Sequence, residues 1–429
     1  MNRRVAFKTL GCRLNQSETD SLVSEFHHAG YRIVEFSDTA DVYIINTCTV
    51  TNQSDKKSRN LISQVNRKKN NCMVVITGCM VNNYRDILKN IPGSVYYIEN
   101  NRKSSIFPIV DAHFRGKSIQ TEKFHPDVFG FGFADTTFHT RSMIKIQDGC
   151  DHFCTFCIVP FVRGRAVSRP ASDILTNIRK VIDSGFREIV ITGVNIGRYK
   201  YRDTDFEDLI EKILLIPGDF RIRISSIEPY GFGDKLIRLF NHPKLMPHLH
   251  LCMQSGSDRV LRKMKRAHTS LDFLSIIDKI RSNYSDFNFT TDIMVGFPGE
   301  TEEDFEATCK AAREIGFSHI HTFKYSRRKG TLADRMPDQI PEKVKNERSE
   351  IIRNISDVNK RQYRKSLIGK TQNVLVEKVH TKSGRGYGEL YVPVEFSHPQ
   401  ISRNMMQKVI LTDLKEGEDL VLLGSTTNL

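Results

Sequence analysis

A chain of 429 residues, 39% hydrophobic and 27% charged, reads as a water-soluble globular protein of two or three domains. No stretch is apolar for long enough to cross a bilayer and the opening MNRRVAFKTL is no export signal, which excludes a helical membrane protein and makes the cytoplasm the expected location. A net charge of +14 without any Trp favours nucleic acid over a membrane as partner, and nine cysteines, an odd number, favour metal ligation or buried thiols over a disulfide framework.

Residues 5–10 form an apolar run suited to a strand, and residues 16–29 have helical spacing with Leu22, Val23 and Phe26 on one side. Residues 41–46 (DVYIIN) and 73–77 (MVVIT) read as two more strands around a polar, helix-compatible stretch, 52–69. This alternation predicts a parallel α/β domain over residues 1–115. Cys12, Cys48 and Cys79 each follow one of these strands. All three therefore belong at the carboxyl edge of the sheet, where open α/β folds bind ligands, gathered there from distant parts of the sequence.

Residues 116–140 have aromatic, Gly and His residues with little periodicity and read as a linker. Strands at 143–147, 188–192, 220–227, 248–253, 287–295 and 319–324 follow, with helices such as 172–183 and 303–315 between them. Six βα units over 136–366 predict a partial or full parallel barrel with its chemistry at the carboxyl ends of the strands. Residues 341–367 are helix-favouring, with Val344, Ile351, Ile355 and Val358 at helical spacing. Short strands at 373–378, 388–394, 408–411 and 419–423, parted by Gly-rich turns such as 383–388, predict a small β-barrel over 367–429. The polar, irregular run 396–406 fits that barrel least well.

The most specific pattern is Cys150-Asp-His-Phe-Cys154-Thr-Phe-Cys157. Cysteines spaced C-x3-C-x2-C on one loop can hold three irons of a four-iron cluster as thiolates, leaving the fourth iron open to a ligand. Zinc and plain buried thiols are the competing readings. Zinc wants a fourth Cys or His at short spacing, and His152, between the first two cysteines, is awkwardly placed for it.

This loop, with Phe156 before its last cysteine and a βα series after it, resembles the radical-SAM superfamily. The resemblance implies S-adenosylmethionine (SAM) on the open iron, cleaved by one electron to a 5′-deoxyadenosyl radical. It also implies SAM contacts at the strand ends: Gly193 and Asn195, Ser225, Ser226 and Glu228, Gln254, Val295 and Gly296, and Tyr325. Polar groups and close backbone approach suit a zwitterionic, adenine-bearing ligand. Taken singly, each could be an ordinary turn, and Glu228 a paired buried carboxylate.

Thr9-Leu-Gly-Cys12-Arg-Leu-Asn15-Gln-Ser-Glu-Thr19, Asn46-Thr-Cys48-Thr-Val and Thr77-Gly-Cys79 extend the likeness over nearly the whole chain to the methylthiotransferase family. In that family these three cysteines hold a second four-iron cluster that carries the sulfur, and the last part is a TRAM domain, an RNA-binding module. Two molecules of SAM are implied, one to methylate that sulfur and one to yield the radical that activates an adenine C2. The opening segment is similar to the group acting on N6-threonylcarbamoyladenosine at tRNA position 37. It is less like the Gly-Cys-Gln-Met-Asn of the isopentenyladenosine group or the Gly-Cys-Pro-Lys-Asn of the group modifying a ribosomal-protein aspartate. The implied partners are the tRNA anticodon loop, an electron donor such as flavodoxin or ferredoxin, and a sulfur donor. A non-catalytic RNA-binding iron–sulfur protein is the other alternative. Lys56, Lys57, Arg59, Arg327, Arg328, Lys329, Arg361, Arg364 and Lys365 are candidate phosphate contacts, with Arg327 or Arg328 placed to meet the threonyl carboxylate. Their alternative is a solvated helix face. Cys72, Cys309 and Cys252, which stands where the family often has Pro, are expected to be packed thiols.

Overall fold

The computed structural model describes residues 3–68, 72–88, 95–117, 124–135, 139–417 and 419–426. Strands β1 (Arg4–Thr9), β2 (Arg32–Val34), β3 (Val42–Thr47), β4 (Met73–Gly78) and β5 (Val95–Ile98) pair in parallel in the order β2-β1-β3-β4-β5. Alternate residues feed two cores. Val5, Ile44 and Val75 pack under Leu22, Phe26 and Ile106 from the helices Arg13–His28 and Ile106–Phe114. Ala6, Ile45 and Ile76 pack under Ile62, Val65 and Met80 from the helices Asn52–Lys68 and Cys79–Leu88. Covered on both faces, β3 and β4 are continuous apolar runs and were legible, as was β1. The edge strands β2 and β5 are short and half-buried, three and four residues long.

The described part of the expected linker, 124–135, is packed down. Phe124 and Phe131 lie against the amino-terminal core and Phe133 against the next one. Its aromatics are anchors, which is why they show no helical or strand period.

The second series comprises β6 (Arg141–Lys145), a ribbon of β7 (Gln147–Asp148) and β8 (Val167–Ser168), β9 (Glu188–Thr192), a ribbon of β10 (Lys200–Tyr201) and β11 (Thr204–Asp205), β12 (Arg221–Ile224), β13 (Ser226–Ile227), β14 (His248–Leu251), β15 (Asn288–Val295) and β16 (His319–Lys324). The main strands are parallel, in the orders β12-β9-β6 and β13-β14-β15-β16. The expected strand 220–227 breaks at Ser225, where one sheet hands over to the other. The result is a partial barrel whose edge strands, β6 and β16, do not pair.

The helix Glu342–Lys365 buries Ile352 and Ile355 against this barrel. Ile351 and Val358, expected on the apolar stripe, face outward. The buried face instead contains polar residues with partners of their own: Arg348 pairs with Glu300 (2.7 Å), Ser356 Oγ accepts from Ile320 N (3.0 Å) and Asn359 Nδ2 donates to Ala312 O (2.9 Å). Polar side chains hid the true stripe from a hydrophobic pattern.

Strands β17 (Thr371–His380), β18 (Ser383–Tyr387), β19 (Pro393–Ser397), β20 (Met406–Lys415) and β21 (Val421–Thr426) close a small barrel in the order β17-β18-β19-β21-β20. Val374, Val394, Phe396, Val409 and Leu422 fill it. The expected turn 383–388 is strand β18. Gly386 is there because a Cβ would lie 1.8 Å from Leu375 O on β17, so glycine marks a close approach of two backbones rather than a turn.

Candidate active site

In the amino-terminal sheet Thr9 lies opposite Asn46 and Thr47 opposite Gly78, so Cys12, Cys48 and Cys79 leave the carboxyl ends of three neighbouring strands side by side. Gly11 turns with φ +96°, and a Cβ on it would lie 2.9 Å from Cys48 Sγ. Glycine therefore lets the Cys12 loop close over Cys48. Asn15 ties the two loops together by donating to Leu10 O (2.9 Å) and Thr47 O (3.1 Å). Cys79 opens the helix Cys79–Leu88.

Behind these thiols Glu18, fully buried, meets Lys103 (2.5 Å), Lys145 (2.8 Å) and Arg163 (3.0 Å). Asp148 also pairs with Lys145 (2.5 Å) and Arg163 (3.0 Å). Burial would raise both carboxyls, but these cations hold them below the usual range. Three cations face two carboxylates, and Lys103 and Arg163 both feel the charge of Cys79. The surplus positive charge suits an anionic set of thiolates.

The second triad lies on the loop from β7 to the helix Val159–Arg163. Phe153 turns that loop with φ +48°. His152 N lies 3.5 Å and Asn195 Nδ2 4.0 Å from Cys150 Sγ, and Arg266 Nη1 lies 3.5 Å from Cys154 Sγ. Burial, then the sulfurs of Cys154 and Cys150, push the Cys157 thiol up to about 12. Three thiols met by N–H donors fit a shared metal centre.

Spacing separates a cluster from zinc. Among the described residues, His250, Cys252 and Asp292 form the one group of three His, Cys, Asp or Glu whose ligand atoms all lie within 4.8 Å of one another. Neither cysteine triad is that tight. Tetrahedral zinc with Zn–S bonds of ~2.3 Å holds its sulfurs only ~3.8 Å apart. Neither triad therefore offers the tight three-ligand geometry of a single zinc ion.

Between the three units lies a cavity of about 620 Å³. Cys12 and Arg13 line it from the amino-terminal sheet, Tyr387 and Tyr391 from the small barrel, and Gly193, Ser225 and Ser226 from the strand ends. Its remaining wall is set by register. His250 lies opposite Thr290, Thr290 opposite His319, and Asp292 opposite His321. His250 is hydrogen-bonded to Thr290 Oγ1 (3.0 Å) and meets Asp292 (3.2 Å). Burial, then His321, brings His319 down to about 4, so it is neutral near pH 7.

Residues 4–98 match the family described as Uncharacterized protein family UPF0004, and residues 144–312 match the Radical SAM superfamily. A threonylcarbamoyladenosine tRNA methylthiotransferase, MtaB, of Thermotoga maritima is 37% identical over 92% of this chain and 91% of its own. The chain belongs to the radical-SAM methylthiotransferase family. A tRNA-2-methylthio-N(6)-dimethylallyladenosine synthase of Endomicrobium trichonymphae is 34% identical over 88% of this chain and 91% of its own. The radical SAM methyltransferase TsrM of Kitasatospora setae has a similar fold, with a TM-score of 0.56 and 14% identity over 78% of this chain and 77% of that one. Radical-SAM methylthiotransferases use SAM and four-iron clusters, and both triads of this methylthiotransferase fit such clusters by number, spacing and charge.

Of the expected SAM contacts, Gly193, Ser225 and Ser226 line the large cavity. Asn195 lines a second one of about 330 Å³ with Cys150, its amide held by Gln147 Oε1 (2.8 Å). Glu228 is half-buried against Arg266, whose Nη1 lies 3.5 Å from Cys154 Sγ and so joins it to the cysteine loop. Gln254 has φ +66° and exchanges backbone bonds with Asp292 and Met294 on β15. Val295, Gly296, Tyr325 and Phe156 line neither cavity. Tyr325 and Phe156 pack with Phe297, Val295 lies in the barrel core, and Gly296 (φ +72°) sits against Lys345.

Of the expected phosphate contacts, Arg328 is buried. It donates to Asp55 Oδ2 (2.5 Å) and Thr49 O (3.1 Å), joining the barrel to the amino-terminal sheet, so it cannot meet substrate. Arg327 faces out, paired with Asp334 (3.0 Å). Lys56, Lys57, Arg59, Lys329 and Lys365 are exposed, and Arg361 is paired with Glu416. Cys252 and Cys309 are packed thiols, both pushed up by burial, Cys309 to about 11, and Cys72 packs against the amino-terminal core. Arg13, Arg266, Tyr391 and the histidine pairs were missed. The pairs had a signal, since His248/His250 and His319/His321 repeat at the strand period and share one face.

Proposed function

We propose that this methylthiotransferase adds a methylthio group to C2 of N6-threonylcarbamoyladenosine at position 37 of tRNA. The observation carrying the proposal is that Cys12 and the strand ends Gly193, Ser225 and Ser226 line one cavity. A base in that cavity would meet both the sulfur-bearing and the radical-generating side. The name of the Thermotoga maritima relative and the segment Gly11-Cys12-Arg13-Leu14-Asn15 support the threonylcarbamoyl base.

In this reading Cys150, Cys154 and Cys157 hold the cluster that binds SAM, and Cys12, Cys48 and Cys79 hold the auxiliary cluster. Gly193, Asn195, Ser225, Ser226, Glu228, Gln254, Val295, Gly296, Tyr325 and Phe156 form or support the SAM site. The bound groups supply the electron, the radical and the sulfur, because the C2–H bond has no acidic proton for a general base to take. The chain's own residues position the base and exclude water. Residues 1–115 carry the auxiliary site, 136–366 the SAM site and 367–429 a TRAM-like module that grips RNA. The partners are the tRNA anticodon loop, a small electron donor such as flavodoxin or ferredoxin, and a sulfur donor, in the cytoplasm. No helix among the described residues is long and apolar enough to cross a membrane.

Nucleoside mass spectrometry of tRNA from cells with and without the gene tests this. The methylthiolated threonylcarbamoyladenosine is expected to vanish without it. Loss of the methylthiolated isopentenyl nucleoside instead, or an unchanged nucleoside profile, overturns the substrate.

A further inference from the structure

Four cations line the large cavity: Arg13, Lys360, Arg364 and Arg385. Three are occupied. Arg385 pairs with Asp419 (2.7 Å), Lys360 with Asp357 (3.0 Å), and Arg364 donates to the carbonyls of Asp419 and Leu420. Arg13 has no carboxylate in ion-pair range among the described residues. Its guanidinium donates one bond, to the Tyr391 phenol oxygen (3.1 Å), and lies over that ring at 5.5 Å from its centroid. Arg141 donates to the same oxygen (2.9 Å); burial would raise the Tyr391 phenol, but Arg13, Arg141 and Arg223 hold it below its usual range, so Tyr391 positions Arg13 without offering it a carboxylate.

The place of Arg13 in the chain sharpens the question. It is the first residue of the helix Arg13–His28, whose first turn has no acidic residue. A cation there works against the helix dipole and costs stability. An arginine so placed, partly desolvated and with donors to spare, is matched to a planar anion that it can grip with two parallel bonds. It directly follows Cys12, so the anion would be part of the molecule that comes to the sulfur.

Resting on the function proposed above, we infer that Arg13 pairs with the carboxylate of the threonylcarbamoyl group and so selects this base over an uncharged alkylated one. An isopentenyl group would cover the guanidinium without giving it an anion, and a site built to pair a charged group rejects a ligand lacking it far more strongly than an apolar pocket rejects an extra group. Arg13 takes the role first expected of Arg327 or Arg328.

The test measures equilibrium binding of the full-length holoenzyme to three anticodon stem-loops. They carry threonylcarbamoyladenosine, its methyl ester, or plain adenosine at position 37. The unaltered chain is expected to favour the free acid over the ester by ten- to a hundredfold, the worth of a hydrogen-bonded charge. Arg13→Gln should bring that ratio toward one, and Arg13→Lys should restore part of it, with iron content checked in each. An acid-to-ester ratio near one in the unaltered chain, or a full ratio kept by Arg13→Gln, overturns the role of Arg13. If the unaltered chain prefers neither modified loop over plain adenosine, the proposed substrate falls and this inference with it. The ester comparison needs no variant, so a poorly folded mutant does not shelter the claim.

Discussion

Glu188 shows how a single residue holds two units together. It is fully buried among Arg141, Arg221 and Arg223. Arg221 then donates to Asn373 O (2.7 Å) and Tyr387 O (2.8 Å), and Arg223 to Glu389 O (2.8 Å), all in the small barrel. Burial alone would raise the Glu188 carboxyl, but Arg223, Arg221 and Arg141 bring it down to about 2 from 4.5. A lowered folded value means stabilisation that is complete above pH 4.5 and is lost as the pH falls from there to about 2. That shift corresponds to roughly 3 kcal/mol. Glu188→Gln should therefore melt well below the unaltered protein at pH 7, and the gap should close on acidification toward pH 3. Melting curves that stay parallel across that range would show that Glu188 does not have this role. Little of this was legible in the sequence, where Glu188 and the three arginines are separate charges on three strands. Only the fold brings them together, just as only the fold turns Arg328 inward to Asp55.

At the scale of elements, strands buried on both faces and loops with fixed chemistry were readable, because each writes a local pattern. The apolar runs of β3 and β4 and the C-x3-C-x2-C loop are such patterns. Elements whose burial is polar were not, as in the helix Glu342–Lys365, where Arg348, Ser356 and Asn359 replace an apolar stripe. Nor were glycines that serve contact rather than turning, as in β18. Gly11 does both, and it links element to chemistry. Gly11→Ala would force a left-handed residue with a side chain into space held by Cys48. The amino-terminal triad should lose its shape while the barrel triad, in a different unit, keeps its own. Reconstituted protein should fall from about eight irons per chain to about four, with three cysteines holding the one remaining cluster. An iron content unchanged by this substitution would contradict the assignment of an auxiliary cluster to Cys12, Cys48 and Cys79.

In the whole molecule, three units with separate cores share one cavity. The sequence sets the small barrel apart, since its short strands break the strand–helix alternation that the other two units share. It does not show the cavity, whose walls come from residues as distant as Arg13 and Tyr391. The small barrel is consequently part of the site, because Tyr387 and Tyr391 form part of the wall. The central claim is a division of labour between the two triads, and one experiment meets it directly. Reconstituted, reduced enzyme is given SAM and a threonylcarbamoyl stem-loop, and both 5′-deoxyadenosine and methylthiolated nucleoside are measured. The unaltered chain should make both. With Cys12, Cys48 and Cys79 all changed to Ala, 5′-deoxyadenosine should persist and the methylthiolated nucleoside should disappear. With Cys150, Cys154 and Cys157 changed to Ala, both should be lost. Methylthiolation by the first variant would contradict the account.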